Sequence, residues 1–370
     1  MRAFLFLLTA TLALGCQPST DPGKEKPGAE DVPRRFFSDD SFWNQPIGPA
    51  PKIAPQNDYW IGLLAEDPSC EQIGVNVKSY TIPIYPVNKE TPRAVIRENA
   101  ELQQGHANFE EDAADSLYRQ HPGFRGKPIP IPANLNPSPG SDAHVAMVDY
   151  EQGKAWDMWY VFQDSSSGQW YSNTGMAYDL YGPGVFPVDA FGAQPGESIH
   201  QYGPGRAAGV PVLAGTIMHH EVVAGKIEHK ISCALRYVAF QEFVYPPATW
   251  TDGNFEGGIP EGSILQLDPE LDLEQFDLTA GEKVVARAMQ EYGMVVVDFA
   301  VGSTTYAEGL WYDEARSWDG LIRGWDEAGG IKTIPVRHYR VLDPSENLRQ
   351  GGDQKKAFFE QFLNQERDCE

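Results

Sequence analysis

From Phe36 onward, glycine and proline cut the chain into short apolar runs, and that punctuation narrows the possible folds more than any other feature. The sequence carries 36 Gly and 29 Pro, and 12% of it is aromatic. Proline removes a backbone donor and fixes φ, so runs bounded this way seldom extend into long helices. Short aromatic and β-branched runs between turn residues read instead as strands. The expectation is a mainly β fold, a jelly roll or related β-sandwich with a few short helices.

Three segments give this outline detail. Ala143–Phe162 reads as a hairpin in which Glu151 to Lys154 form the loop. On that pairing His144, Ala146, Val148 and Tyr150 share a face with Ala155, Asp157, Trp159 and Val161. Ile227–Tyr237 alternates, with Ile227, His229, Ile231, Cys233, Leu235 and Tyr237 predicted inward. Glu228, Lys230, Ser232, Ala234 and Arg236 are then predicted toward solvent. Thr279 and Glu282 have capping-box spacing ahead of an apolar stripe that ends at Gly293, which predicts a helix. A buried strand is expected over Met294–Ala300, a short helix over His220–Ala224, and a surface helix over Gln354–Phe362.

The N-terminus has a different character. Met1-Arg2 precedes an apolar run, Phe4–Leu14, that is too short to span a bilayer, which takes ~20 apolar residues. It closes on Leu12-Ala13-Leu14-Gly15-Cys16, which resembles the lipobox of bacterial lipoproteins. The resemblance implies cleavage before Cys16, a lipid on its thiol and a place in the cell envelope. Gln17 resembles the outer-membrane sorting pattern. On this reading residues 1–15 are a signal peptide, 16–35 a lipidated disordered tether and 36–370 a single β-rich domain. As a flexible coil the tether would reach about 24 Å.

Charge and cysteine content exclude some functions. With 52 acidic against 29 basic residues the formal net charge is −23, which argues against nucleic acid, whose phosphates need a basic face. An acidic polysaccharide stays open, because a local basic cleft can sit on an acidic protein. Beyond Cys16 only Cys70, Cys233 and Cys369 remain, enough for one intramolecular disulfide and no zinc ribbon. His220-Glu221-Val222-Val223-Ala224 opens like a zinc-protease helix but has Ala in place of the second histidine. Gly203–Gly209 has the wrong spacing for a dinucleotide loop, and neither a GxSxG elbow nor a P-loop occurs. The sequence names no cofactor.

Several polar residues stand out against this background. Asp142 and His144 lie two apart at the edge of the hairpin, where a carboxylate beside an imidazole suits a general base or a metal ligand. Arg206 follows a glycine-rich loop and has the planar fork that clamps carboxylates. His220 and Glu221 sit at a helix start, where backbone donors favour an anion. His229 faces inward, Tyr292 ends the capped helix, and Asp298 after three valines is costly to bury without a partner. Trp43, Trp60, Trp156, Trp159 and Trp170 are candidate sugar-stacking platforms.

The stretches Ser38–Pro46, Ile131–Asp149, Arg206–Ile231 and Pro260–Asp298 carry the motifs SDAH, RAAGVPVLAG, GKIEHKI and ARAMQEYG. They resemble, in the same order, a family of large secreted and envelope bacterial proteins of uncharacterised activity. The resemblance implies one long exported domain and carries no reaction. Glu228-His229-Lys230 departs from the Asp-His-Ala expected there. The residues themselves suggest an envelope protein acting on a polysaccharide. In a lyase version His144, oriented by Asp142, takes the proton beside a uronate carboxylate that Arg206 neutralises, and Tyr292 or His229 protonates the leaving oxygen. In a hydrolase version Asp142 and Asp157 form a carboxylate pair. Trp159, Asp157, His220 and Glu221 are expected to contact substrate. The rival is a non-catalytic glycan-binding or scaffold lipoprotein.

Overall fold

The computed structural model describes residues 35–98, 124, 127–186 and 205–352. The signal segment, Cys16, Cys369 and the Gln354–Phe362 helix lie outside the described residues. The described part belongs to one compact unit, Arg35–Glu370.

Two mixed sheets organise it as a β-sandwich. The larger runs in the order β1 (Ile73–Asn76), β16 (Ser303–Tyr306), β11 (Ile231–Leu235), β15 (Met294–Phe299), β14 (Ile264–Leu267), β18 (Tyr339–Val341). The second runs β10 (Thr174–Asp179), β7 (Lys154–Trp159), β6 (Val145–Asp149), β2 (Ile82–Pro86), β17 (Glu308–Gly309). Smaller sheets pair β13 (Ile259–Glu261), β12 (Val238–Val244) and β19 (Leu348–Gln350); β3 (Arg93–Ala94) and β5 (Ile129–Pro130); and β4 (Arg97–Glu98), β9 (Trp170–Ser172) and β8 (Phe162–Gln163). Three α-helices are described: α1 (Asn57–Glu66), α2 (His219–Ala224) and α3 (Ala280–Glu291).

Three apolar clusters stack across these layers. Ile61, Leu64, Val285 and Met289 of α1 and α3 pack on Ile231, Cys233 and Val296 of the larger sheet. Ala234, Val295 and Val297 face Ile84, Ala146, Val148 and Ala155 across the interior between the sheets. On the far side, Val145, Met147 and Met158 lie under Ile96, Ile129 and Ile131. Alternate residues of β6 thus enter different clusters, as the two-residue period of a strand requires.

The β6–β7 hairpin forms with Ala146 opposite Asp157 and Val148 opposite Ala155. This register is two residues from the expected one, so the shared face is preserved. The capped helix forms as α3 with both capping-box bonds, and the strand after it is β15. The strand expected over Ile227–Tyr237 is shorter, and its second face is not solvent-exposed. Ser232 and Ala234 are fully buried, because β11 lies between β15 and β16 and the second sheet covers that face. Ser232 Oγ is satisfied by donating to Ala214 O at 2.6 Å. Cys70 and Cys233 are buried free thiols.

Between the sheets runs an almost wholly buried irregular segment, Gly205–Met218. Buried backbone groups without a strand partner need other ones. Ala208 N donates to Val297 O, Val212 N to Asp157 Oδ2 at 2.7 Å, and Ile217 N to Tyr306 O, while Gly215 O accepts from Ser232 N. Gly215 has φ 68°, and a Cβ there would lie 2.3 Å from Ser232 N, so this crossing of the sheet needs glycine.

Candidate functional site

The buried segment delivers Arg206 to the end of β15. Its Nη1 donates to Asp298 Oδ2 at 2.8 Å, and Ala207 N donates to Asp298 Oδ1 at 2.9 Å. Tyr306 OH donates to Asp298 Oδ2 at 2.8 Å, and its ring lies 3.7 Å from the Arg206 guanidinium carbon. The Arg206 side chain has no exposure and that of Asp298 only 16%. The cost of burying Asp298 is therefore offset by a guanidinium, a phenol and a backbone amide. Burial, with the Asp298 charge next, pushes the Tyr306 phenol well above its usual range.

His144 joins this cluster from the foot of β6. Its Nε2 lies 2.8 Å from Gly205 O, and a carbonyl only accepts, so Nε2 carries the proton. Burial, then the Arg206 charge, lowers its pKa to about 4. The ring is therefore neutral at physiological pH, and Nδ1 is a bare lone pair without a hydrogen-bond partner. Arg206 Nε and Nη2 likewise have no partner. Three buried polar atoms left unengaged in one cluster are unusual, since such groups are normally paired.

Asp142 belongs to the cluster but does not orient His144. Ala143 between them has φ 42°, which breaks the alternation that would have pointed both side chains the same way, and Gly205 O takes the role expected of the carboxylate. The Asp142 carboxyl is partly exposed and held above its usual range by burial, against the pull of Arg206 and hydrogen bonds from Ser141 and Trp159. Asp157 is fully buried, and its Oδ2 accepts from Val212 N, which ties it to the 205–218 segment. Burial raises its pKa to about 7. Glu261, also fully buried, is held well above its usual range by burial and then by the Asp252 and Asp298 charges.

The remaining predicted residues form a second group. His229 Nε2 lies 3.0 Å from Glu221 Oε2 and Nδ1 2.8 Å from Lys230 O. The Glu221 carboxylate and the Lys230 carbonyl are both acceptors, an arrangement that favours the doubly protonated ring. Burial opposes that charge, but Glu221 and the Lys230 carbonyl outweigh it and the pKa is raised. Tyr292 lies in the same area, its pKa raised by burial and by Glu228 and Glu291. Ile231 pairs with Met294 at the start of β15 and Ala234 with Asp298 near its end, so His229 precedes β11 at the end remote from Asp298, five residues or about 16 Å of extended chain before Ala234. The expected convergence of His144, Arg206 and His229 is therefore corrected: His144 and Arg206 meet, and His229, Glu221 and Tyr292 stand apart. His220 is partly exposed on α2. The first amide of α2 already donates to a carboxylate, His219 N to Glu308 Oε2 at 3.1 Å.

Aromatic side chains flank the Asp142 edge. Tyr160 N donates to Asp142 O at 2.8 Å, and the Tyr160 ring packs edge-on against Trp159 and Phe162. Phe162 is exposed and stacks on Tyr171 with centroids 5.2 Å apart. Trp43, Trp60 and Trp156 are buried packing residues, while Trp159 and Trp170 are partly exposed. Among the described residues no three His, Cys, Asp or Glu side chains come together as a metal site. No helix among them is long and apolar enough to cross a membrane.

No family model, curated protein or solved structure matches the chain. Asp298 was visible in the sequence as a costly charge after three valines. Tyr306 had no local signal, because its role comes from β16 lying two strands from β15.

Proposed function

We propose that the protein is an envelope lipoprotein, anchored through Cys16, that acts on a polysaccharide at the Asp142–His144–Arg206–Asp298–Tyr306 cluster. One observation carries this reading: a neutral imidazole with a free Nδ1 lone pair lies in the same buried cluster as a guanidinium with two unengaged nitrogens. Base and cation together suit proton abstraction beside a carboxylate, as in β-elimination from a uronate. His144 Nδ1 takes the proton from C5, the C4–O bond breaks, and a C4–C5 double bond forms. The leaving oxygen gains a proton from Tyr306, whose high pKa keeps it protonated and which replaces Tyr292 and His229 in that role. In this reading Arg206 pairs with the uronate carboxylate through its unengaged Nε and Nη2.

A second reading has its own support. The Phe162–Tyr171 stack, with Phe162 exposed and Tyr171 half-buried, is suited to holding a sugar face without chemistry, which favours a glycan-binding lipoprotein. Incubating the full chain with uronate-containing and neutral polysaccharides separates the two. Unsaturated uronyl absorbance that disappears in His144→Gln supports the lyase. Retention on a polysaccharide with neither this absorbance nor new reducing ends supports the binder. The anchor is tested by Cys16→Ala, which should move the protein from the membrane fraction to the soluble one; if it stays membrane-bound, the lipoprotein reading fails.

A further inference from the structure

A separate cleft opens at the free edge of the larger sheet. It encloses about 240 Å³ and is lined by Asn76, Lys78, Ser79, Trp325 and Asp326, with Val75 and Val77 beneath. Trp325 is 40% exposed, yet it is held in place. Its ring lies against the backbone of Gly74, where a Cβ would come within 2.2 Å of ring atom Cε2. Its Nε1 donates to Thr304 Oγ1 at 3.2 Å, and Lys332 Nζ donates to its carbonyl at 2.6 Å. An indole fixed this firmly while leaving so much surface open is a pre-formed platform, with little ordering cost left when a flat ligand stacks on it.

The polar lining sets the ligand class. Lys78 Nζ and Asp326 Oδ2 pair at 2.7 Å, both well exposed. Lys332 Nζ lies 5.9 Å from the Trp325 ring centroid, and Glu327 and Asp319 also act on Lys78, so charges of both signs surround the cleft and neither dominates; an exposed ion pair is weak enough for hydroxyls to compete with it. Together with the Asn76 amide and the Ser79 hydroxyl it offers donors and acceptors beside an apolar ring face. The volume is below that of drug-sized pockets and suits one sugar ring.

We propose that this cleft binds one neutral hexopyranose unit, stacked on Trp325, and serves as an outlying subsite for the polysaccharide. The strand connection supports continuity with the candidate site. Ser79 lines the cleft, and the next residue, Tyr80, is exposed and donates its amide to Pro139 O in the loop that carries Asp142. A Cβ at Gly140 would lie 2.9 Å from the Tyr80 ring, so the two loops are in close contact. The subsite role rests on the glycan reading above, whereas binding at Trp325 does not depend on any reaction at His144.

The test is titration of the full chain, labelled at its indole nitrogens, with glucose, galactose and mannose, and with glucuronate as a charged comparator. A saturable shift of the Trp325 indole resonance with at least one neutral hexose is expected. Trp325→Ala should weaken that binding at least about tenfold, and Trp325→Phe should weaken it less. Gly74→Ala should abolish it by displacing the ring while leaving every polar lining group in place, with folding checked by circular dichroism. His144→Gln should leave the shift intact, so failure of the lyase reading is distinguishable from failure of this one. The proposal is overturned if no neutral hexose moves the resonance, if only glucuronate does, or if Trp325→Ala binds as well as the parent.

Discussion

At the scale of single residues, two groups in one interior give opposite pH responses. His144 and Asp157 lie on the same face of the β6–β7 hairpin, with Arg206, Asp298, Tyr178 and Tyr306 as charged or titratable neighbours. Burial lowers His144 from 6.5 to about 4, so between these values the unfolded chain binds a proton the folded chain refuses, and stability falls as pH drops. Burial raises Asp157 from 3.8 to about 7, so the folded chain keeps a proton the unfolded chain has lost, and stability falls as pH rises. The windows overlap and the two effects largely cancel. Asp157→Asn keeps an acceptor for Val212 N but removes one of them. Its stability should therefore gain up to about 3 kcal/mol relative to the parent's profile as pH goes from 4 to 6.5. His144→Gln should tilt the other way. Urea midpoints across this range decide it, and difference profiles that stay flat for both variants would refute the assignment.

At the scale of elements, what could be read in the sequence depended on how local the determining contacts are. The α3 capping box could be read because its bonds join Thr279 and Glu282, three residues apart. Glu282 does more than cap, which the motif did not reveal: it is fully buried and also accepts from Arg323 N at 2.8 Å and Arg323 Nη2 at 2.7 Å. Thr279→Ala should therefore cost about 1 kcal/mol. Glu282→Ala, which also leaves Arg323 without a buried partner, should cost about 2–3 kcal/mol. Chemical denaturation of both variants checks the order, and a larger loss for Thr279→Ala would contradict it. The β11 face was misread for the same reason that the cap was read. Ser232 and Ala234 are small or polar in sequence, and only the second sheet makes their side an interior. His144 was expected beside Arg206, where it lies, but Asp142 was expected to orient it and Gly205 O does so instead, because a positive φ at Ala143 leaves no trace in residue spacing.

At the scale of the whole molecule, the sandwich keeps the polar cluster inside and the aromatic surface outside, and under the proposed function this division would separate recognition from chemistry. Arg206 and His144 are enclosed between the sheets, so they add little to first contact with a polymer. Phe162 and Tyr171, from the small sheet of β4, β8 and β9, project at the Asp142 edge through Tyr160. If the protein is an enzyme, the two sets should fail differently. Phe162→Ala combined with Tyr171→Ala should weaken retention on a polysaccharide by about tenfold or more. Turnover at saturating substrate should change little, because stacking remote from the reacting atoms acts on ground state and transition state alike. His144→Gln should do the reverse, abolishing turnover while leaving retention and affinity near the parent's. Affinity electrophoresis and initial rates on the same preparations give both readouts. If His144→Gln and the aromatic double variant lose retention together and no turnover is found in the parent, the cluster is scaffolding for a binding face and the catalytic reading is wrong.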